Sequence, residues 1–412
     1  MLSDHDDVLE KDALFEIVKM LNEYPDTDVV YTDEDKISMD GQHYFEPHFK
    51  PDFNPGLLCS NNYICHITVV KKTLMKEIDG FRKKFDGAQD YDLVLRCAEK
   101  SRNFCHVPKV LYHWRSHPNS TAENPESKKY AFDAGRMALQ EHYQRMSLDA
   151  EVQSIENMPG YYRTNFAVSG NPKVTVIIPN KDHVTDLERC LKSVFDKTTW
   201  ENYEVLIVEN NSTEEETFSY YDKLPQIYGE RVRILKWEKE FNYAAINNWA
   251  AAQAEGEYLL FLNNDTEVIS GDWMRHMLGF CSQKDTAVVG AKLYYEDDTI
   301  QHAGVIVGIC GVAGHIFCGV SRLDCGYAGR AKISQDLSAV TAACMMVKAA
   351  VFHQVGGFEE AYSVAYNDVD LCMKIREKGW RIIFDPDSEL YHYESRSRGL
   401  EDTCLLYTSR CV

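Results

Sequence analysis

The chain has 412 residues, 44% of them hydrophobic, and a formal net charge of −20. That length predicts two to three domains, each able to bury its own core. The acidic balance leaves no broad basic surface for a phosphate backbone, which argues against a nucleic acid partner.

In chain order, the first segment offers a carboxylate cluster (Asp4, Asp6, Asp7), apolar runs at DVVYTDE (28–34) and NYICHITVV (62–70), a helix at DYDLVLRCAEK (90–100) and a run at HVPKVLYHW (106–114). The acidic stretch YTDEDK (31–36) reads as a solvated turn at a strand end. Helical spacing follows in SKKYAFDAGRMALQEHYQRM (127–146), then a connector with Pro159, Gly160 and Pro172. From residue 173 strands and helices alternate: VTVIIP, LERCLKSVF, YEVLIVENN, VRILKW, NYAAINNWAAAQA and EYLLFLNND. Such alternation predicts an α/β fold with a mainly parallel sheet, whose ligands sit at the carboxyl ends of the strands. QHAGVIVGICGVAGH (301–315) lacks the Lys-Ser/Thr ending of a Walker loop and reads as a flexible loop over an acceptor, with His302 and His315 either as ligand contacts or as ordinary loop histidines.

The 13 cysteines are scattered singly and form no CxxC pair, which predicts buried thiols in a reducing cytosol rather than disulfides or zinc. No apolar run approaches the roughly 20 residues of a membrane span, and the acidic start is not a signal peptide. The expected location is cytoplasmic, with peripheral association at the inner face of the cell membrane left open.

One pattern occurs twice. GFRKKFDGAQDYDLVLRCAEK followed by VLYHW matches GGFEEAYSVAYNDVDLCMKIREK followed by ELYHY, with 23 residues from Asp90 to His113 and 24 from Asp368 to His392. The second copy is preceded by strands and helices that the first lacks, so the chain is expected to begin in mid-domain. The boundaries are 1–118 for the catalytic half of a first domain, 119–172 for a helical connector and linker, and 173–403 for a second domain. Residues 404–412 are expected to be a non-native tail.

Taken jointly, VTVIIPNKD, VENNST, EYLLFLNNDTEV, NDVDL and YHYESRSRG resemble the inverting family 2 glycosyltransferases, in particular the tandem-domain, rhamnosyltransferase-like enzymes of bacterial surface polysaccharide. The resemblance implies a Rossmann-like glycosyltransferase A fold, one truncated copy followed by one nearly complete copy. It implies transfer of a sugar, with inversion, from a UDP- or dTDP-sugar to a glycan or lipid-linked glycan, with Mn²⁺ or Mg²⁺ as cofactor.

It also implies roles for residues. Asp265 and His392 would hold the metal, with Asn263 in place of the family's first DxD carboxylate. Asp368 would be the general base, with Asn367 where the family has glutamate. Pro179, Asn180, Lys181, Asp182, Glu209, Asn211, Asn248 and Asn264 would meet the nucleotide, and Ser397, Arg398, His315 and Thr341 the diphosphate or acceptor. In the first copy Asp4, Asp6 and His113 would be the metal set and Asp90 the base, but without nucleotide-binding strands that half is expected neither to bind donor well nor to turn over.

By residue type alone, the Asn-Asn-Asp cluster is equally a strand-end turn, Asp368 a helix cap and His392 a structural histidine. Two other functions stay open. One is a silent sugar-nucleotide or glycan-binding module, suggested by Asn263 and Asn367; the other is a nucleotidyltransferase, which would need a Gly-rich basic phosphate loop that PNKDHVTDLERC does not supply.

Overall fold

In the computed structural model, which describes residues 1–116 and 129–394, the chain divides into two compact units. Unit 1 comprises residues 1–167 with 333–335, and unit 2 residues 168–332 with 336 onward. Ser397, Arg398 and the tail at 404–412 lie outside the described residues, as does part of the expected linker.

Unit 1 contains β1 (Val8–Leu9), α1 (Ala13–Glu23), β2 (Val29–Ile37), β3 (Tyr44–His48), β4 (Thr68–Val70), α2 (Gln89–Lys100) and β5 (Phe104–Arg115). β5 pairs antiparallel with β1 and parallel with β2, and β2 takes β3 and β4 antiparallel. The YTDEDK stretch is not a solvated turn. It lies within β2, where Asp33 and Glu34 are buried. Buried carboxylates need partners, and distant residues supply them. Asp33 accepts from the Lys50 amide at 2.8 Å and bonds His106 Nε2 at 2.8 Å, while Glu34 lies 3.2 Å from Lys50 Nζ. The expected connector is itself packed: α3 (Lys129–Arg145) buries Ala134, Ala138, Leu139 and Tyr143 in the core that holds Leu93 and Val94 of α2. The hairpin of β6 (Ala150–Ser154) and β7 (Tyr162–Phe166) completes the unit.

Unit 2 contains β8 (Val174–Asn180), α4 (Val184–Lys197), β9 (Tyr203–Glu209), β10 (Val232–Lys236), α5 (Tyr243–Ala251), β11 (Tyr258–Leu262), β12 (Thr266–Val268), α6 (Trp273–Cys281) and β13 (Thr286–Tyr294). There follow β14 (Ile300–His302), β15 (Val305–Val307), β16 (Ala313–His315), β17 (Cys344–Lys348), α7 (Asn367–Glu377) and β18 (Arg381–His392). The main sheet runs β10-β9-β8-β11-β17-β13-β18-β12. Its apolar runs are continuous because both faces are covered. Val176, Ile178, Val205 and Ile207 pack with α4 and α6 on one face; Ile177, Val208, Leu259 and Phe261 pack with α5 and α7 on the other.

The sheet is mainly parallel, six of its eight strands running one way, with β17 and β12 reversed. β10, β9, β8 and β11 are parallel, but β17 runs antiparallel to both β11 and β13, and β12 antiparallel to β18. A parallel neighbour requires a crossover, usually helical, and no described α-helix lies between β13 and β17. Among the described residues no helix is long and apolar enough to cross a membrane.

Candidate active site

Unit 2 contains a cavity of about 1180 Å³ that is lined by the residues ending β8 and β11, by the start of α7 and by the end of β18. Pro179, Asn180, Lys181, Asp182, Asn264, Asp265, His315, Thr341, Asp368 and His392 all line it.

The β8 end is rigidly built. Asn180 is buried, donates to Tyr221 Oη at 2.8 Å and accepts from Asn264 Nδ2 at 2.7 Å. Asp182 and His183 both have positive φ, 53° and 50°. The Asp182 carboxylate accepts from the amides of Thr213 (2.8 Å) and Glu214 (2.9 Å). Burial opposes its ionisation, but those two amides outweigh it and hold the carboxyl below its usual range.

Three expected nucleotide residues are occupied elsewhere. Glu209 is buried, and its carboxylate accepts from the Ser212 amide and hydroxyl, both at 2.6 Å, and from Tyr221 Oη at 2.8 Å. It orders the loop after β9 rather than lining the cavity. Asn211 donates to the Lys239 carbonyl at 2.8 Å. Asn248 ties α5 to Phe358 in both directions at 2.9 Å. These side chains are satisfied by the fold and are not among the cavity-lining residues.

At the end of β11, Asp265 and His392 come together. The antiparallel register pairs Thr266 with His392, and His392 Nε2 stands 3.2 Å from Asp265 Oδ1. Asn263 Nδ2 lies 3.1 Å from the same nitrogen. The other ring nitrogen, Nδ1, bonds Gln301 Oε1 at 2.6 Å. Sequence reasoning missed Gln301: it stands some ninety residues before His392, and no local pattern marks it. The segment 301–315 is also more ordered than a flexible loop. β15 pairs with β16, and His302 is fully buried against His315, with Nδ1 to Nδ1 at 3.1 Å. Burial, with His315 and His392 nearby, holds His302 well below the ordinary imidazole value and therefore neutral.

Asp368 stands in the first turn of α7, one step inside Asn367, while Tyr366 at φ 64° takes the cap position. Asp368 is therefore not the cap. Its carboxylate accepts from the Ala342 amide at 3.1 Å and the Val369 amide at 2.8 Å. Asn367 is buried and donates to the Tyr362 carbonyl at 3.2 Å, and Asp370 pairs with Lys374 at 2.9 Å.

Among the described residues no group of three or more His, Cys, Asp and Glu side chains is arranged to hold a metal alone. Two lone-pair donors at 3.2 Å do fit a divalent cation that completes its shell with phosphate and water. Neighbouring ligands of an octahedral ion with bonds of 2.0–2.1 Å are about 3 Å apart.

In unit 1 the register pairs Val8 with His113 as it pairs Thr266 with His392 in unit 2. Asp7, rather than Asp4 or Asp6, therefore stands where Asp265 does. Asp7 accepts from the Tyr112 hydroxyl and from the Arg115 amide at 2.8 Å. His113 Nδ1 lies 2.5 Å from Asp35 and Nε2 3.3 Å from Glu10, not on the Asp4–Asp6 pair. Asp90 accepts from Asn62 Nδ2 at 2.8 Å.

Residues 175–356 match the family described as Glycosyl transferase family 2, a span that takes in the cavity residues from Pro179 to Thr341 but not Asp368 or His392. The protein y4gI of Sinorhizobium fredii is 44% identical over 98% of this chain and 44% of its own length. The O-antigen biosynthesis protein RfbC of Myxococcus xanthus is 39% identical over 95% of this chain and 30% of its own. The chain thus spans less than half the length of these curated relatives. Among solved structures, GalNAc-T7 with UDP, GalNAc and Mn²⁺ aligns at a TM-score of 0.47 and 15% identity, over 59% of this chain and 47% of that one.

Proposed function

We propose that unit 2 transfers a sugar from a nucleoside-diphosphate sugar to a hydroxyl of a glycan or lipid-linked glycan, with inversion, in the assembly of a bacterial surface polysaccharide. The observation that carries this reading is the convergence on one cavity of Asp368, the Asp265 and His392 pair, and the Asn180 to Asp182 turn. The family 2 match over residues 175–356 and the likeness to an O-antigen biosynthesis protein support it.

Asp265 and His392 would hold a Mn²⁺ or Mg²⁺ ion, which when bound supplies positive charge for the departing diphosphate. The chain's own residues do the rest. Asn180, Lys181, Asp182 and Asn264 shape the nucleotide end. Two backbone amides orient the Asp368 carboxylate, so that it takes the proton of the acceptor hydroxyl as that oxygen attacks the anomeric carbon. The bond to the diphosphate oxygen breaks on the opposite face, which gives inversion. Thr341 and His315 lie on the cavity wall where an acceptor would enter. We read unit 1 as a second copy of the same frame that does not turn over, and the protein as peripheral at the cytoplasmic face of the membrane.

The test is Asp265→Ala. Donor binding that depends on Mn²⁺, followed by calorimetry, is expected to be lost; binding that persists unchanged removes Asp265 as a ligand. NMR of the product must show inverted anomeric configuration. Donor binding with no transfer to any acceptor would make the unit a silent sugar-nucleotide module.

A further inference from the structure

We infer that Gln301 is a positioning residue: it holds His392 as the tautomer protonated at Nδ1, which leaves Nε2, the nitrogen nearest Asp265, without a proton. The inference rests on the reading above that this pair is the metal-holding end of the cavity.

The orientation of the Gln301 amide is determined by its surroundings. Gln301 is 4% exposed at the centre of β14. Its Nε2 donates to the His392 carbonyl at 3.3 Å and to Glu394 Oε2 at 3.1 Å. A flipped amide would set its oxygen against those two acceptors, so the oxygen must face the ring. A carbonyl oxygen only accepts, and at 2.6 Å from Nδ1 it requires the proton there. With Nε2 unprotonated, the Asn263 amide at 3.1 Å meets it as a donor.

One consequence concerns the neighbouring carboxylate. Nε2 and Asp265 Oδ1 then lie 3.2 Å apart with no proton on the nitrogen. That arrangement favours a cation, and the fixed tautomer prevents the ring from turning a proton toward Asp265 instead. A hydrogen-bond acceptor on the far nitrogen also raises the basicity of a ligating imidazole. In unit 1 His113 has carboxylates, Asp35 and Glu10, on its two nitrogens and no amide to choose between them.

The experiment is ¹⁵N NMR of the metal-free full chain labelled at histidine, at mildly alkaline pH, with the His392 signals assigned by their loss in His392→Ala. The wild type is expected to show a protonated Nδ1 and an unprotonated Nε2. Gln301→Leu is expected to lose that pattern and to bind Mn²⁺ about 10–100-fold more weakly by electron paramagnetic resonance. Gln301→Glu with Glu394→Gln keeps an acceptor and a donor in reversed positions and is expected to restore both readouts. A wild-type ring protonated at Nε2 overturns the inference without any variant. So does Gln301→Leu with the wild-type pattern. If the tautomer behaves as stated but no form of the chain binds Mn²⁺, the positioning role stands and the metal reading falls.

Discussion

The two units share a backbone frame and spend its side chains differently. In unit 1 the order is β1-β5-β2, with β4 on β2; in unit 2 it is β12-β18-β13, with β17 on β13, and each pairing has the same sense. A helix with an aspartate in its first turn, α2 or α7, precedes the strand that carries the histidine. Yet Asp7 is tied to Tyr112 and Arg115, and His113 to Asp35 and Glu10, whereas the Asp265 and His392 atoms face each other across 3.2 Å on a cavity wall. Burial even holds the Asp7 carboxyl above its ordinary range, despite the Tyr112 and Arg115 hydrogen bonds that pull it down. A ligand site depends on which side chains surround the frame, and the frame alone does not supply one.

The largest expected effect tests that contrast through chemistry. Asp368→Asn keeps the size of the side chain and removes the base, so kcat is expected to fall about 10²–10⁴-fold with donor affinity retained. Asp90→Asn is expected to leave kcat unchanged. Release of nucleoside diphosphate at saturating donor measures both, and a comparable loss from Asp90→Asn would place unit 1 in turnover and break the comparison.

The next effect concerns stability at the second aspartate of each helix. Asp92 is fully buried between Arg82 and Arg96, with contacts to Arg96 at 2.8 and 3.0 Å and to Arg82 Nε at 3.1 Å. Its counterpart Asp370 makes a partly exposed pair with Lys374. Asp92→Asn leaves two guanidinium groups short of a counter-charge and is expected to cost about 3–5 kcal/mol. Asp370→Asn is expected to cost about 0.2–1 kcal/mol. Amide hydrogen exchange, read separately in α2 and α7, reports each unit by itself.

How far these features could be read in the sequence depends on whether a residue's partners are near in the chain. The polar clusters that end β8 and β11 follow immediately on long apolar runs, and the strand-end rule leads straight to cavity residues such as Asn180 and Asp265. The duplicated spacing led to His392 and His113, but it could not fix a register, which is set by pairing across β1 and β5. YTDEDK looked like a turn because it is hydrophilic; its burial depends on Lys50, His106 and His113, all distant in sequence. The partners of Glu209 and Asn248, which are Tyr221 and Phe358, are equally absent from the local pattern. The direction of β17 is equally hidden, because an apolar run reads the same in either sense.

Acid gives the smallest and most gradual way to separate the units. Burial alone would raise the Glu34 carboxyl, but the Lys50 ammonium and the His48 hydrogen bond outweigh it and bring it down to about 2, from 4.5. A carboxylate depressed in the folded state contributes its full stabilisation above the unfolded value and loses it as pH falls toward the folded one. The contribution, roughly 3 kcal/mol, should therefore be present above pH 4.5 and disappear between there and pH 2. Glu34→Gln leaves the buried Lys50 without its counter-charge, so the gap between variant and wild type should be widest near neutrality and close through that same window. Exchange of β2 amides across the pH series, with β8 amides as the reference in unit 2, follows the effect. A gap that stays constant down to pH 2 would mean that Glu34 supports β2 by packing rather than by charge, and the buried ion pairs of unit 1 would no longer explain how its side chains are spent.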